Sequence, residues 1–369
     1  MLLFTPGPTP VPESVRQAMA TPTLHHRTPE FEAIFKEARE RLLKLLGMDE
    51  CVMIASSGTG AMQACMLNLC KTKALTVNAG KFGERFGKIA DAMGRDKVEL
   101  TYEWNTPCSV SDVENALNEN ADIDAIFIQV CESAGGLRHP VEAIAKRAKE
   151  INPDIMIVAD GITAVGVERI DISNIDALVT GSQKALMLPP GLAMIGFSNA
   201  AVEKIGQGVD YYFNLASEIK KQQQNTTAYT AATTLIIGLN AIFDAIDEEG
   251  MDALYANTAA RASATQAALE AIGFSMYPQT PAPSMSTVFD EDAETIRKLL
   301  KTKYGVNMAG GQDHLKGKLF RINQMGLIPV HESAWVVNAI ELALADIGRR
   351  EFDGTASRVF NETYFKKSA

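Results

Sequence analysis

From about residue 50 to about residue 200 the chain alternates short apolar runs with stretches of helical periodicity, and this alternation limits the fold more than any other feature. Residues 51–55, 74–78, 125–130, 155–159, 177–179 and 193–197 read as buried strands. Helical patterns such as 60–70, 86–93, 110–118 and 141–150 lie between several of them. Strand and helix in alternation predict an α/β domain with a mostly parallel sheet covered on both faces. In such sheets ligands bind beyond the carboxyl ends of the strands, so residues at those ends are the first candidates for chemistry.

After Gln222-Gln223-Gln224 the texture changes to two long helices, about 231–247 and 251–272, the second stopped by Gly273. A smaller α+β unit follows, with strands near 286–289 and at 319–322 and helices near 294–304 and at 332–347. The boundary is expected near residue 250. The opening, Thr5-Pro6-Gly7-Pro8-Thr9-Pro10-Val11-Pro12, is too rich in proline for a helix or a central strand and predicts an extended arm. The expected organisation is an arm over 1–20, a large domain over 21–250 and a small C-terminal domain over 251–369.

Composition removes several function classes. The net charge of −10 comes with scattered lysines and arginines, which argues against nucleic acid and anionic membranes as partners. No stretch reads as a signal peptide or a membrane span, and the cytoplasm is the expected compartment. The five cysteines, Cys51, Cys65, Cys70, Cys108 and Cys131, contain no Cys-x-x-Cys pair, so neither a disulfide framework nor a metal site is signalled.

Four features fall at strand ends or strand-to-helix turns. Lys184 follows the run 177–179 in Ser182-Gln183-Lys184-Ala185-Leu186. A lysine among apolar residues needs a partner, a lowered pKa or a covalent bond to an aldehyde, although taken alone it also fits a half-exposed strand end. Asp160 ends the run 155–159, where a carboxylate calls for a cation or a donor, or serves as an N-cap. Ser56-Ser57-Gly58-Thr59-Gly60 offers hydroxyls, free amides and a helix start to an anion such as phosphate. Glu132-Ser133-Ala134-Gly135-Gly136 is a second hydroxyl-bearing glycine turn on the same sheet edge. An amine for an aldehyde, a carboxylate for a ring nitrogen and a helix start for a phosphate are together the handles that pyridoxal 5'-phosphate requires.

With these residues in view the chain resembles the fold-type I, class V aminotransferases, and most closely the alanine–glyoxylate and serine–pyruvate aminotransferases. The matching pieces run in family order: Pro6-Gly7-Pro8, Ser57-Gly58-Thr59, Glu132-Ser133 with Gly136, Asp160-Gly161, Ser182-Gln183-Lys184-Ala185-Leu186 with Pro189-Pro190-Gly191, and Leu319-Phe320-Arg321-Ile322. The resemblance implies a mostly parallel seven-stranded sheet and gives Lys184 the Schiff base and the proton transfer. It makes Asp160 the partner of the ring nitrogen and assigns the phosphate to Ser57, Gly58 and Thr59, with Gln183 beside it. Phe82 falls where many relatives stack a tryptophan on the cofactor, and Arg321 where the family binds the substrate carboxylate. Thr227 and Thr230 fall where one subunit reaches its neighbour's phosphate site, which implies a homodimer with shared active sites. Where many relatives carry Ser-Thr-Gly after the glutamate-serine pair, this chain has Ala134-Gly135-Gly136, and Ser133 is the hydroxyl expected to reach the cofactor.

The implied activity is ping-pong transfer of an amino group between alanine or serine and glyoxylate or pyruvate. Phosphoserine–2-oxoglutarate transamination is the nearest alternative, with His25-His26-Arg27 as the extra cations it would need. A non-catalytic accessory subunit on the same fold is another. Cysteine desulfuration lacks its nucleophile, because no cysteine follows Cys131.

Overall fold

A computed structural model describes residues 1–366. In chain order the elements are β1 (Leu2–Phe4), α1 (Glu13–Met19), α2 (Pro29–Leu46), β2 (Glu50–Ile54), α3 (Gly58–Leu69), β3 (Lys73–Asn78), α4 (Lys81–Ala92), β4 (Asp96–Thr101) and α5 (Val110–Glu119). Next come β5 (Ile123–Gln129), the small hairpin β6 (Cys131–Glu132) and β7 (Leu137–Arg138), α6 (Val141–Ile151), β8 (Met156–Asp160), β9 (Ala177–Gly181) and β10 (Ala193–Phe197). The chain finishes with α7 (Asn199–Ile205), α8 (Leu215–Gln222), α9 (Thr233–Glu249), α10 (Met251–Ala271), β11 (Met285–Phe289), α11 (Ala293–Thr302), β12 (Val306–Gly310), β13 (Leu319–Asn323), α12 (Val330–Asp346) and α13 (Thr355–Lys366).

Seven strands form the main sheet in the order β2-β10-β9-β8-β5-β3-β4. From β9 to β4 the pairing is parallel, and β10 runs antiparallel to both β9 and β2. Strands β2, β8, β9 and β10 are buried along their whole length, as expected for a sheet covered on both faces. Alternate residues feed two cores. Ile126, Ile128, Ile157 and Ala159 face one core, and Phe127, Met156 and Val158 face the other, where α3 and α4 lie. The seventh strand, β4, escapes the apolar reading because it is the sheet edge: Asp-Lys-Val-Glu-Leu-Thr is exposed or half-exposed throughout.

The second sheet has the order β1-β12-β13-β11 and packs against α10 and α11, with α12 and α13 contributing to the same core. Its core includes Phe4, Ala264, Leu269, Val288, Ile296, Phe320 and Ile340, whereas Leu239, Ile242, Phe243 and Leu254 belong to the main core. Gly250, at φ +85°, turns the chain between α9 and α10.

The Pro-rich stretch 5–12 forms neither helix nor strand, and regular elements flank it within the arm expected over 1–20. Leu2–Phe4 is a strand paired in parallel with β12, and Glu13–Met19 is a helix packed on α9. Proline is barred from a helix interior by its missing N–H and its ring, but Pro12 stands at the N-cap, where no N–H is needed and its carbonyl accepts from the Arg16 amide (3.0 Å). Only the segment between these elements is irregular. The end of the expected small domain, 367–369, lies outside the described residues. No helix among the described residues is long and apolar enough to cross a membrane.

Candidate active site

Strand β9 ends at Gly181, and the loop beyond it is tied shut by Ser182. The Ser182 hydroxyl donates to the Pro189 carbonyl (2.7 Å) and accepts from the Leu192 amide (3.2 Å), and the Leu188 amide donates to the Ser182 carbonyl (3.0 Å). The proline-rich stretch after Lys184 is thus the clasp that fixes where Lys184 leaves the strand. The N-terminal segment closes the other side: the Thr9 hydroxyl donates to the Lys184 carbonyl (2.6 Å), and Lys184 Nζ donates to the Pro6 carbonyl (2.5 Å). Gly7 is held at φ +120°, and a Cβ there would stand 2.5 Å from Lys184 Nζ. Lys184 is half-buried along its length, but its ammonium is enclosed by protein. Burial, with the Arg321 guanidinium adding to it, pushes the ammonium down to about 8.

One strand over, Asp160 ends β8 with its carboxylate buried. Its Oδ1 accepts from the Ile162 amide (3.0 Å). Burial raises the carboxyl to about 6, against the pull of that amide, Lys184 and Arg85. Gln129, in register with Asp160 on β5, is fully buried, and among the described residues neither of its side-chain polar atoms has a hydrogen-bond partner.

Helix α3 begins beside this pair. Ser57 is its N-cap, yet the Ser57 hydroxyl makes no capping bond. The amides of Gly60 and Ala61 turn back to the Ser57 carbonyl, while those of Gly58 and Thr59 precede any intrahelical acceptor. A side chain at Gly58 would overlap Ile162, so the glycine lets the helix start press against the turn after Asp160. Thr59 Oγ1 accepts from Arg85 Nη1 (2.8 Å).

The β6–β7 turn supplies the fourth wall. Glu132 is fully buried, and its carboxylate accepts from the amides of Phe82 (3.0 Å), Gly83 (2.8 Å) and Ala134 (2.9 Å). It therefore caps the start of α4 and fixes Phe82, whose ring lies under the Arg85 guanidinium at 4.6 Å. Burial pushes Glu132 up to about 7. Arg321, on β13 and nearly buried, donates from Nη1 to the Ser133 carbonyl (2.7 Å) and from Nε and Nη2 to the Gly310 carbonyl (3.2 and 2.7 Å). These bonds lock the fork and leave N–H groups on both terminal nitrogens for a carboxylate. Burial lowers the guanidinium to about 10, with Glu132 opposing the shift.

The structure thus gathers Lys184, Asp160, Ser57, Gly58, Thr59, Phe82, Ser133 and Arg321 around the carboxyl ends of the strands, with Gln183 next to Lys184. Thr227 and Thr230 are elsewhere. Thr227 is buried with its hydroxyl on the Tyr229 carbonyl, and Thr230 is exposed beside Ala55 and Tyr212. The rings of His25 and His26 lie 4.8 Å apart at a 31° tilt, and the Arg27 backbone amide donates to His25 Nδ1 (3.2 Å). Arg85 and the Pro6 carbonyl are site groups that the sequence reading passed over, and Glu132 was recognised there without a role. Starting the helical pattern at 81 rather than 86 would have placed Phe82 and Arg85 three residues apart on one helix face.

A ligand with an aldehyde, an aromatic ring nitrogen and a phosphate fits this donor set. It would meet a buried amine below its usual pKa, a carboxylate with one oxygen already oriented, an uncapped helix start and an aromatic face. Comparison with known proteins agrees. The family model described as "Aminotransferase class-V" matches residues 1–326. An uncharacterised aminotransferase of Helicobacter pylori is 50% identical, over 99% of this chain and 100% of that one. The serine–glyoxylate aminotransferase of Hyphomicrobium methylovorum is 30% identical over 100% of this chain and 95% of its own. The crystal structure of an aspartate aminotransferase of subgroup IV from Thermus thermophilus superimposes with a TM-score of 0.88 at 28% identity, covering 94% of this chain and 100% of that one. The chain belongs to the class V aminotransferases, enzymes of the fold-type I architecture whose cofactor is pyridoxal phosphate.

Proposed function

We propose that the protein moves an amino group from a small L-amino acid, alanine or serine, to glyoxylate or pyruvate in two half-reactions that share one site. When bound, pyridoxal phosphate supplies the carbonyl that takes the amine and the ring that accepts electrons. Lys184 Nζ would hold the cofactor's carbonyl end and would carry the proton to and from the substrate α-carbon. With its pKa near 8, a useful fraction of the amine is free base at neutral pH. Asp160 would hold the ring nitrogen protonated, Ser57, Gly58 and Thr59 with Gln183 would take the phosphate, and Phe82 and Ser133 would hold the ring.

The substrate carboxylate goes to Arg321. The observation that carries the choice of a donor with a single carboxylate is the state of the other nearby cations. Within one protomer Lys81 is paired with Asp313 (2.7 Å) and Glu84 (3.3 Å), and Arg85 is committed to Thr59 and Phe82. Among the described residues no carboxylate forms an ion pair with Arg321, and its outward N–H groups have no such competitor. The phosphoserine alternative needs further cations for a second acidic group, for which His25, His26 and Arg27 are the candidates. A homodimer is part of the proposal, since the exposed Tyr211, Tyr212 and Thr230 give the 209–230 segment a surface to offer a neighbour's phosphate site.

The test is a visible spectrum of the loaded protein during successive additions of L-alanine, L-serine, L-aspartate, L-glutamate and O-phosphoserine. Loss of the cofactor band with alanine or serine, and its return with glyoxylate or pyruvate, is the expected result. A response to aspartate or phosphoserine alone would replace the proposed donor.

A further inference from the structure

We infer that Arg85 is a positioning residue for the cofactor phosphate, setting the direction of the Thr59 hydroxyl and bracing the Phe82 ring. The inference rests on the proposal that Ser57, Gly58 and Thr59 hold that phosphate. A threonine hydroxyl has one proton to give and two lone pairs to receive with. Arg85 Nη1 occupies a lone pair of Thr59 Oγ1 at 2.8 Å, and among the described residues Thr59 Oγ1 donates to no protein group. The hydroxyl proton is therefore left for a ligand. It sits on the first turn of α3 beside the amides of Gly58 and Thr59, which also lack intrahelical acceptors, so three donors share one place. Accepting from a guanidinium polarises the hydroxyl and strengthens what it donates.

The same guanidinium lies over the Phe82 ring at 4.6 Å. Phe82 and Arg85 are three residues apart on α4, and the Phe82 amide is fixed by Glu132, so ring and guanidinium move as one unit. Arg85 thus links the phosphate end of the site to the face that covers the ring. A lysine cannot replace it, because one ammonium cannot both stack on Phe82 and reach Thr59 in a fixed plane.

The experiment measures affinity without turnover. Equilibrium dialysis gives the Kd of pyridoxal phosphate and of pyridoxal, which lacks the phosphate, for the native protein, Arg85→Gln, Arg85→Lys, Thr59→Val and the Arg85→Gln/Thr59→Val double variant. Thermal melts verify that each is folded. The quantity read is the phosphate advantage, Kd of pyridoxal divided by Kd of pyridoxal phosphate. Arg85→Gln should cut it by about tenfold or more, the scale of a charge-assisted hydrogen bond. Thr59→Val should cut it comparably, and the double variant no further than the larger single effect. Arg85→Lys, which keeps the charge, should lose most of the same advantage. If Thr59→Val lowers the advantage while both Arg85 variants keep it, or weaken the two ligands equally, the inference is overturned. If Thr59→Val leaves it intact as well, the phosphate assignment itself is wrong.

Discussion

Replacing Gly7 by alanine separates the stability of the fold from the placement of its reactive amine. A Cβ at Gly7 would lie 2.5 Å from Lys184 Nζ, 2.7 Å from Cδ and 2.8 Å from Cε, and the backbone there has φ +120°. Non-bonded carbon atoms settle at about 3.5–4.0 Å, so the end of Lys184 must retreat by about 1 Å. The retreat is cheap for the fold, because the colliding atoms are the far end of a flexible side chain. The backbone conformation costs more, about 1–3 kcal/mol for a residue with a side chain. Function suffers out of proportion, since a reacting group displaced by about 1 Å can lose about 100-fold in rate. The assay mixes cofactor-free Gly7→Ala with pyridoxal phosphate, follows the visible band by stopped flow, and determines stability by urea unfolding. The expected outcome is a folded protein, less stable by about 1–3 kcal/mol, that captures the cofactor about 100-fold more slowly. Native capture kinetics in the folded variant would refute the claim that Gly7 makes room for Lys184.

Because burial lowers Lys184 to about 8, far more of the amine is free base at neutral pH than for an ordinary lysine. The capture rate should climb with pH and level off just above 8, and a rise continuing to pH 10 would contradict the buried ammonium. The same shift makes the unfolded chain bind more protons than the folded one between about 8 and 10.5, so the Lys184 contribution to stability of the cofactor-free protein rises with pH across that window. Arg321→Lys should lower kcat/KM for the amino donor by about 10- to 100-fold through loss of the two-pronged contact, while cofactor affinity changes little. Steady-state kinetics beside a cofactor titration would check it.

The part of this structure legible in the sequence is the part where burial leaves no choice. Apolar runs such as 155–159 and 177–179 had to be central strands, and polar residues at their ends, Asp160 and Lys184, had to be there for chemistry or costly without it. Strand β4 was not legible, because an edge strand with solvent on its flank carries charges at most positions. Strand β1 was missed because it is short and meets β12 across about 300 residues of chain, a pairing with no local signature, and β12 because it is short and buried at only two of its positions, although it also pairs with the nearby β13. Pro12 hid α1, since the same residue that forbids a helix interior starts one from the cap. Arg85 and Glu132 acquire meaning only when α4 is set against α3 and the β6–β7 turn, so their roles depend on tertiary packing. The roles proposed for Thr227 and Thr230 require a second subunit, which a single chain does not display.

The most direct test of the central claim is to mix the protein with pyridoxal phosphate, reduce with borohydride, digest, and weigh the peptides. The account predicts one modified peptide, labelled at Lys184, with Lys184→Ala giving none. A label on Lys81 or another lysine, or equal labelling of Lys184→Ala, would contradict it.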